Sequence, residues 1–155
     1  DIMKDSRVGA YGAIGMIMIL LLKFTALSTI PFSKMWMVLL AAHSFSRLCA
    51  VLVVATSRYV RENDDAKAKP LAKSITIKEI IPAIVFGLAP MFLFQQIEML
   101  FVLILPLLGT FFLRRYFHKW IDGYTGDCLG ATQQVTEVLF YLNLLVFWKI
   151  EYNFL

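Results

Sequence analysis

Long apolar stretches separated by short polar ones constrain this chain more than any other feature of its sequence. Five of them approach the roughly 20 apolar residues that a helix needs to cross the hydrocarbon core of a bilayer. They lie at residues 9–27, 35–56, 80–94, 99–113 and 131–148. Hydrophobic residues make up 59% of the chain, more than the roughly 45–50% of soluble domains. The sequence therefore predicts an all-α, polytopic transmembrane helical bundle that forms a single membrane domain.

Basic residues are distributed unevenly between the segments that join these stretches. Eleven of the 15 lysines and arginines precede the first span or lie in segments 57–79 and 114–130, whereas only Lys34 and Lys149 lie on the opposite side. Because cytosolic loops are enriched in Lys and Arg, both segments are predicted to be cytosolic. The same bias explains the net charge of +4 without a nucleic-acid partner. Lys23, near the end of the first span, is expected to extend to the interface.

The second span carries ionisable and hydroxyl side chains in its middle. A central arginine costs about 2.5–3.5 kcal/mol on insertion scales, so its presence needs a specific reason. His43, Ser46 and Arg47 are spaced i, i+3, i+4, which predicts one shared helix face. The planar guanidinium of Arg47 suits a phosphate or a carboxylate. Either this face binds a ligand, or Arg47 pairs with a carboxylate of another span, such as Glu137.

Polar residues also precede the first span, where Lys4, Asp5, Ser6 and Arg7 mark the entry of the chain into the membrane. An Asp or Ser before a helix is commonly an N-cap, and basic residues there set the topology. The alternative is that this segment contributes to a ligand cavity that faces the cytosol.

A glycine-rich acidic segment precedes the fifth span, with Gly126 and Gly130 flanking Asp127. Glycine lets a ligand approach the backbone closely, and N–H groups at the start of a helix bind anions. An aspartate beside a phosphate is reasonable with a cation between them, and Mg²⁺ is typically held by one or two carboxylates plus substrate phosphates. Gln134 and Glu137 would continue this polar face into the span. A plain interhelical loop is the alternative.

Together these residues resemble the cobalamin synthase family, the adenosylcobinamide-GDP ribazoletransferases of bacteria and archaea. The matching stretches are IMKDSRVGAYG at 2–12, HSFSR at 43–47 with YVR at 59–61, and GYTGDCLGATQQVTE at 123–137. Asp122 departs from the family's pattern, in which a second glycine is more common. The family's aspartate-rich segment before KDSR is absent, and the chain begins without an initiator methionine or a leader. We therefore expect a C-terminal portion of a longer protein.

The resemblance implies an Mg²⁺-dependent transferase of the bacterial inner membrane, with its active site facing the cytosol. It would join adenosylcobinamide-GDP to α-ribazole, or to its 5′-phosphate, and release GMP in the last assembly step of the cobalamin nucleotide loop. These small molecules and the lipid bilayer are the implied partners. Because the corrinoid is too large for an internal pocket, we expect an open cavity that a homo-oligomeric partner could complete.

The same resemblance implies roles for individual residues, since phosphoryl transfer depends mainly on positioning and charge neutralisation. Asp127 would hold Mg²⁺, with Asp5 as a second candidate ligand. Arg47 would stabilise the phosphate charge, and His43 would accept the proton of the attacking hydroxyl or donate to phosphate. The residues expected to bind substrate or phosphate are Lys4, Ser6, Arg7, Ser46, Gly126, Gly130, Gln134 and Glu137.

Two other classes of protein carry polar residues within membrane spans. A small-solute transporter would line a pathway with Arg47 and Glu137 and break its helices at prolines. A non-catalytic membrane subunit would use its polar residues only to join helices. A pathway needs polar residues through the depth of several spans, whereas here they gather toward the predicted cytosolic side. This distribution favours the transferase over the transporter.

Overall fold

The computed structural model of this chain describes residues 9–60 and 75–152. Five α-helices make up most of these ranges: α1 (Ala10–Ser28), α2 (Phe32–Thr56), α3 (Ile77–Leu88), α4 (Ile104–Ile121) and α5 (Gly126–Tyr152). Two 3₁₀ helices, Ala89–Phe94 and Ile97–Leu103, connect α3 to α4. The only β-type pairing in the described ranges is an isolated bridge between Tyr59 and Tyr124. The predicted all-α helical bundle is confirmed.

Within residues 9–60 and 75–152, three helical segments are long and apolar enough to cross a membrane, which supports a membrane protein. They are α1, α2 and Ile97–Ile121, where the last combines a 3₁₀ helix with α4. The predicted third stretch, 80–94, corresponds to the 12-residue α3 and the 3₁₀ helix that follows it. The predicted fifth stretch lies within α5, which begins earlier, at Gly126. The number of helices that cross the bilayer stays a prediction.

The core of the bundle forms around α5, which packs against α1, α2 and α4. Phe45 of α2 meets Phe140 of α5 at a ring-centroid distance of 6.4 Å. Both side chains are buried, as are Tyr141 and Leu144 on α5. By contrast, large apolar side chains such as Phe86 point outward over much of the surface. Such a surface suits contact with lipid, because a soluble protein rarely exposes large contiguous apolar patches.

Two glycines allow neighbouring helices to approach closely. A Cβ atom at Gly87 of α3 would lie 2.7 Å from the Cβ atom of Leu48 on α2. A Cβ atom at Gly109 of α4 would collide with the side chain of Leu139 on α5. Small residues at helix contacts are typical of membrane bundles, where close packing replaces the hydrophobic effect as the main attraction between helices.

The connection between α3 and α4 departs from regular α-helical geometry, and α5 compensates for it. Gln95 adopts the left-handed conformation with φ of 55° between the two 3₁₀ helices. Asn143 of α5 donates from Nδ2 to the carbonyl oxygens of Phe101 and Val102, at 3.2 and 3.0 Å. The N–H of Ile104 also donates to the carbonyl oxygen of Phe101, so the Asn143 bonds add to the main-chain pairing beside the helix break in an apolar environment. Pro106 is tolerated because it lies in the first turn of α4, where its missing N–H is not required.

Contacts between the helices define two opposite ends of the bundle. At one end the ammonium group of Lys34, near the start of α2, lies 5.0 Å from the ring centroid of Trp148, near the end of α5. At the other end Arg114 of α4 donates from Nη2 to the carbonyl oxygen of Thr56, at 2.8 Å. The last residues of α2 and the second half of α4 therefore meet at this end. The side of the membrane that this end faces stays a prediction.

Candidate active site

The connection between α4 and α5 positions the glycine-rich segment by main-chain pairing. Asp122 ends α4 with φ of 53°, and its N–H donates to the carbonyl oxygen of His118 at 3.2 Å. The N–H of Tyr124 donates to the carbonyl oxygen of Arg58 at 2.9 Å, and its own carbonyl accepts from the N–H of Val60 at 3.1 Å. The turn is thus held against the chain that leaves α2.

Asp122 is accommodated here because aspartate is one of the few residues besides glycine that adopt the left-handed conformation readily. Its Oδ2 atom accepts from Nη2 of Arg58 at 2.6 Å, and its Oδ1 atom lies 3.9 Å from Nδ1 of His118. Both partners of the Arg58 ion pair are largely exposed, so this contact adds little to stability. The structure therefore gives Asp122 a local role in the turn.

Tyr124 anchors the same turn in the protein interior. Its side chain is buried and meets the ring of Tyr59 edge-on, with 5.5 Å between the ring centroids. Burial raises the pKa of the Tyr124 phenol, and the neighbouring Tyr59 raises it further. The phenol therefore stays neutral throughout the physiological pH range, as its apolar surroundings require.

Among the glycines of this segment, Gly123 is the one that the packing of the turn requires. An added Cβ atom would collide with the carbonyl oxygen of Arg58 and with the side chain of Val60. We expect Gly123→Ala to lower the free energy of unfolding by about 1–3 kcal/mol, because overpacking forces the two segments apart. Gly126→Ala is the matched control, since no atom lies within 4 Å of its added Cβ. Thermal unfolding in detergent measures both variants, and equal losses would contradict this assignment.

The first turns of α5 present an open polar face. Gly126 and Gly130 lie one turn apart, and no atom lies within 4 Å of a Cβ atom added at either position. Asp127 is exposed in the first turn of the helix. Its carboxylate makes no hydrogen bond or salt bridge to residues 9–60 or 75–152. The face is therefore accessible both to a ligand and to a cation held by Asp127.

The carboxylate at this face could supply part of the oxygen ligands of a magnesium site. Mg²⁺ takes oxygen ligands and is commonly bound by one or two carboxylates, with waters and substrate phosphates completing the shell. Asp127 supplies one accessible carboxylate, whereas residues 9–60 and 75–152 hold no group of three His, Cys, Asp or Glu side chains that could bind a metal. Asp5, the other predicted ligand, lies outside the described residues. Asp127 alone would need further ligands from substrate or from other parts of the protein.

The cluster predicted on α2 separates into an exposed pair and a buried hydroxyl. Nε of Arg47 donates to Nε2 of His43 at 3.2 Å, and both side chains are exposed. Because Nε2 accepts this bond, the proton of the neutral imidazole lies on Nδ1. The hydroxyl of Ser46 instead donates to the carbonyl oxygen of His43 at 2.9 Å and is buried in the core. The structure brings His43 and Arg47 together and directs Ser46 away from their exposed surface.

Arg47 opens onto a shallow cavity between α2 and α3. The cavity has a volume of about 210 Å³ and is lined by Arg47, Ser44, Phe86 and Gly87, among others. Within residues 9–60 and 75–152, no hydrogen bond or salt bridge joins the His43–Arg47 pair to α5. Arg47 is therefore not the partner of Glu137 in this part of the chain.

Glu137 is bound by a residue that the sequence did not single out as part of the site. Nζ of Lys23 donates to Oε2 of Glu137 at 2.8 Å and to Oε1 of Gln134 at 2.7 Å. The hydroxyl of Tyr141 donates to the second carboxylate oxygen of Glu137, also at 2.8 Å. The expectation that Lys23 extends to the membrane interface is wrong, because opposite charge and hydrogen bonds hold it against α5.

The depth of the two charges along their helices is the signal that could have predicted this pair. Lys23 lies 13 residues after the start of α1, and Glu137 lies 11 residues after the start of α5. With a rise of 1.5 Å per residue, these offsets correspond to about 20 and 17 Å. Charges at similar depth within a membrane tend to pair with one another. The predicted residues Lys4, Ser6 and Arg7 lie outside the described ranges.

Comparison with known proteins agrees with the family resemblance of the stretches at 2–12, 43–47, 59–61 and 123–137. A family model described as cobalamin-5-phosphate synthase matches residues 1–146. This chain belongs to the cobalamin-5-phosphate synthase family. No solved structure matches it.

Two bacterial proteins named adenosylcobinamide-GDP ribazoletransferase are among the relatives of this chain. The protein of Leptospira interrogans is 42% identical over 158 residues, which cover 96% of this chain and 60% of the relative. That of Vibrio parahaemolyticus is 39% identical over 151 residues, which cover 96% of this chain and 57% of the relative. The chain thus spans about three fifths of the length of these curated relatives. All the candidate site residues lie within the range that the family model matches.

Proposed function

We propose that the full-length protein carrying this chain is an Mg²⁺-dependent adenosylcobinamide-GDP ribazoletransferase. It would join adenosylcobinamide-GDP to α-ribazole, or to its 5′-phosphate, and release GMP. The observation that carries this proposal is the open face at the start of α5, where Asp127 stands accessible between Gly126 and Gly130 within the stretch matched by the family. The names of the two relatives support the substrate assignment.

The start of α5 would receive the diphosphate of the substrate. The first N–H groups of a helix have no intrahelical acceptor and can donate to phosphate oxygens. Gly126 and Gly130 have no side chain to keep a phosphate from the backbone. Asp127 would hold the magnesium ion together with ligands from elsewhere in the protein. When bound, the ion would neutralise negative charge on the diphosphate.

His43 and Arg47 would act at the reacting phosphorus atom. Arg47 would exchange its contact with Nε2 of His43 for a phosphate oxygen, for which its guanidinium is well suited. The released Nε2 atom could then accept the proton of the attacking ribazole hydroxyl. The hydroxyl oxygen forms a bond to the phosphorus on the cobinamide side, and the bond from that phosphorus to the oxygen of GMP breaks. This role requires the α2 pair and the α5 face to meet at one diphosphate, because the reacting phosphorus is one of its two phosphorus atoms.

The proposed location is the bacterial inner membrane, with this site on the cytosolic side. The concentration of Lys and Arg in segments 57–79 and 114–130 supports that orientation. The end where α2 and α4 finish would then face the cytosol. The large corrinoid would bind in an open cavity at this end, which a second copy of the protein could complete.

The test is turnover by the full-length protein reconstituted in lipid nanodiscs. With adenosylcobinamide-GDP and α-ribazole present, we expect GMP and a cobalamin in equal amounts by liquid chromatography. Chelation of Mg²⁺ with EDTA should stop the reaction, and added Mg²⁺ should restore it. A folded protein that releases no GMP under these conditions would contradict the proposal and favour a non-catalytic membrane subunit. Turnover that persists in EDTA would contradict the magnesium assignment alone.

A further inference from the structure

An ion pair in the interior of the bundle joins α1 to the polar face of α5. The ammonium group of Lys23 lies 2.8 Å from the carboxylate of Glu137 and 2.7 Å from the amide oxygen of Gln134. Only 16% of the Lys23 side chain and 11% of the Glu137 side chain are exposed. Ionised groups at such depth are costly unless they are paired. Each of these two charges therefore depends on the other.

The partners of Lys23 continue the face that begins at Gly126 and Gly130. Gln134 follows Gly130 by four residues and Glu137 follows it by seven, so helical spacing places them along the same side of α5. Lys23 covers the deeper part of this side. The shallower part stays open, because Gly126, Asp127 and Gly130 are exposed. Lys23 thus lies at the inner end of the open face.

Glu137 would be unfavourable for an anionic ligand if Lys23 were absent. A diphosphate at the start of α5 carries negative charge, and Glu137 lies two to three helical turns deeper on the same helix. In an environment of low dielectric constant, like charges interact over such distances far more strongly than in water. The positive charge of Lys23 neutralises the negative charge of Glu137 and so removes this repulsion. Tyr141 and Lys23 also occupy both carboxylate oxygens of Glu137.

We propose that Lys23 is a positioning residue that neutralises Glu137 and holds Gln134, so that the open face of α5 accepts an anionic diphosphate ligand. This inference rests on the proposed function. Lys23 does not contact the reacting atoms. Its contribution is to the affinity for the charged substrate and not to the chemical step. If Lys23 only joined α1 to α5, its replacement would change stability or kcat and would not affect the charged substrate more than the uncharged one.

The test compares KM for the two substrates in the full-length protein in nanodiscs. Lys23→Met should raise KM for adenosylcobinamide-GDP by about tenfold or more and leave KM for uncharged α-ribazole within about twofold. Lys23→Arg keeps the positive charge and should restore most of the affinity. Lys34→Met, which removes a lysine at the opposite end of the bundle, is the matched control and should leave both constants unchanged. Equal increases in both KM values, or a change in kcat alone, would overturn the proposal.

A second variant keeps the test decisive if Lys23→Met does not fold. Lys23→Met combined with Glu137→Gln removes both charges and so buries no unpaired charge, and KM for adenosylcobinamide-GDP should then remain within about twofold of the wild-type value. A rise in that KM would overturn the proposal, because it would show that the pair acts by joining α1 to α5 and not by neutralising charge. Wild-type protein is measured alongside. Its failure to release GMP would refute the proposed function, whereas normal wild-type turnover with no substrate-selective effect refutes only the role of Lys23.

Discussion

Replacement of Asp127 by alanine in the full-length protein is expected to abolish Mg²⁺-dependent GMP release while membrane insertion stays intact. Asp127 is the accessible carboxylate at the start of α5 and makes no salt bridge within the described ranges. Its loss should therefore cost little stability. Turnover should fall by a factor on the order of 10²–10³ or more, as with removal of one electrostatic contact to a transition state. Initial rates of GMP release and size-exclusion profiles in detergent measure the two properties.

Asp122→Asn provides the matched control for that experiment. Asp122 lies at the other end of the same turn, and its carboxylate binds Arg58 at 2.6 Å. Asparagine also tolerates the left-handed conformation at this position, so the turn should be retained. We expect near-normal GMP release, because the lost ion pair is exposed. Full activity of Asp127→Ala would exclude Asp127 as a magnesium ligand, and equal loss in both variants would indicate a structural effect of the turn.

Glu137→Leu is expected to destabilise the bundle strongly, because it breaks an ion pair in the protein interior. The substitution leaves the ammonium group of Lys23 without its counter-charge and the hydroxyl of Tyr141 without its acceptor. An unpaired central charge costs about 2.5–3.5 kcal/mol on insertion scales. We expect a decrease in the free energy of unfolding of about that size. Thermal or denaturant-induced unfolding of the purified protein measures it.

Glu98→Leu is the corresponding control for a carboxylate outside the core. Glu98 is exposed in the 3₁₀ helix Ile97–Leu103, so its replacement should change stability by less than about 0.5 kcal/mol. Adding Lys23→Met to Glu137→Leu should recover much of the loss, since the double variant no longer buries an unpaired charge. A Glu137→Leu protein as stable as wild type would show that the ion pair contributes nothing to the bundle.

Most of the architecture could be predicted from local sequence patterns. Stretches of about 20 apolar residues imply helices in lipid, because main-chain groups there must form their hydrogen bonds within the segment. Arg47 and Asp127 attracted attention because ionisable residues are costly near lipid and glycine-rich turns are accessible to ligands. The family assignment followed from the order of the matching stretches. Whether Asp127 binds magnesium stays a prediction.

The partners of the buried charges could not be predicted in the same way. Arg47 was the residue that the sequence suggested as a partner for Glu137, since the sequence alone does not show which side chains face α5. Both α1 and α2 pack against α5, but Arg47 lines the cavity between α2 and α3, whereas the ammonium group of Lys23 lies 2.8 Å from the carboxylate of Glu137. Spacing also placed Ser46 with His43 and Arg47, yet its side chain lies in the core. A spacing of three residues turns the side chain about 60° from the original direction at 100° per residue, which is enough to cross from surface to interior.

The glycines show the same division between local and tertiary information. The sequence established a helical membrane protein and a polar, glycine-rich start to its last helix, because hydropathy and backbone freedom are properties of short segments. Only the packing of the chain distinguished Gly123, whose missing side chain lets Arg58 approach, from Gly126, which faces open space. Packing also determined that Lys23 neutralises Glu137. These contacts join residues more than 60 positions apart, and relative helix placement, not local propensity, brings them together.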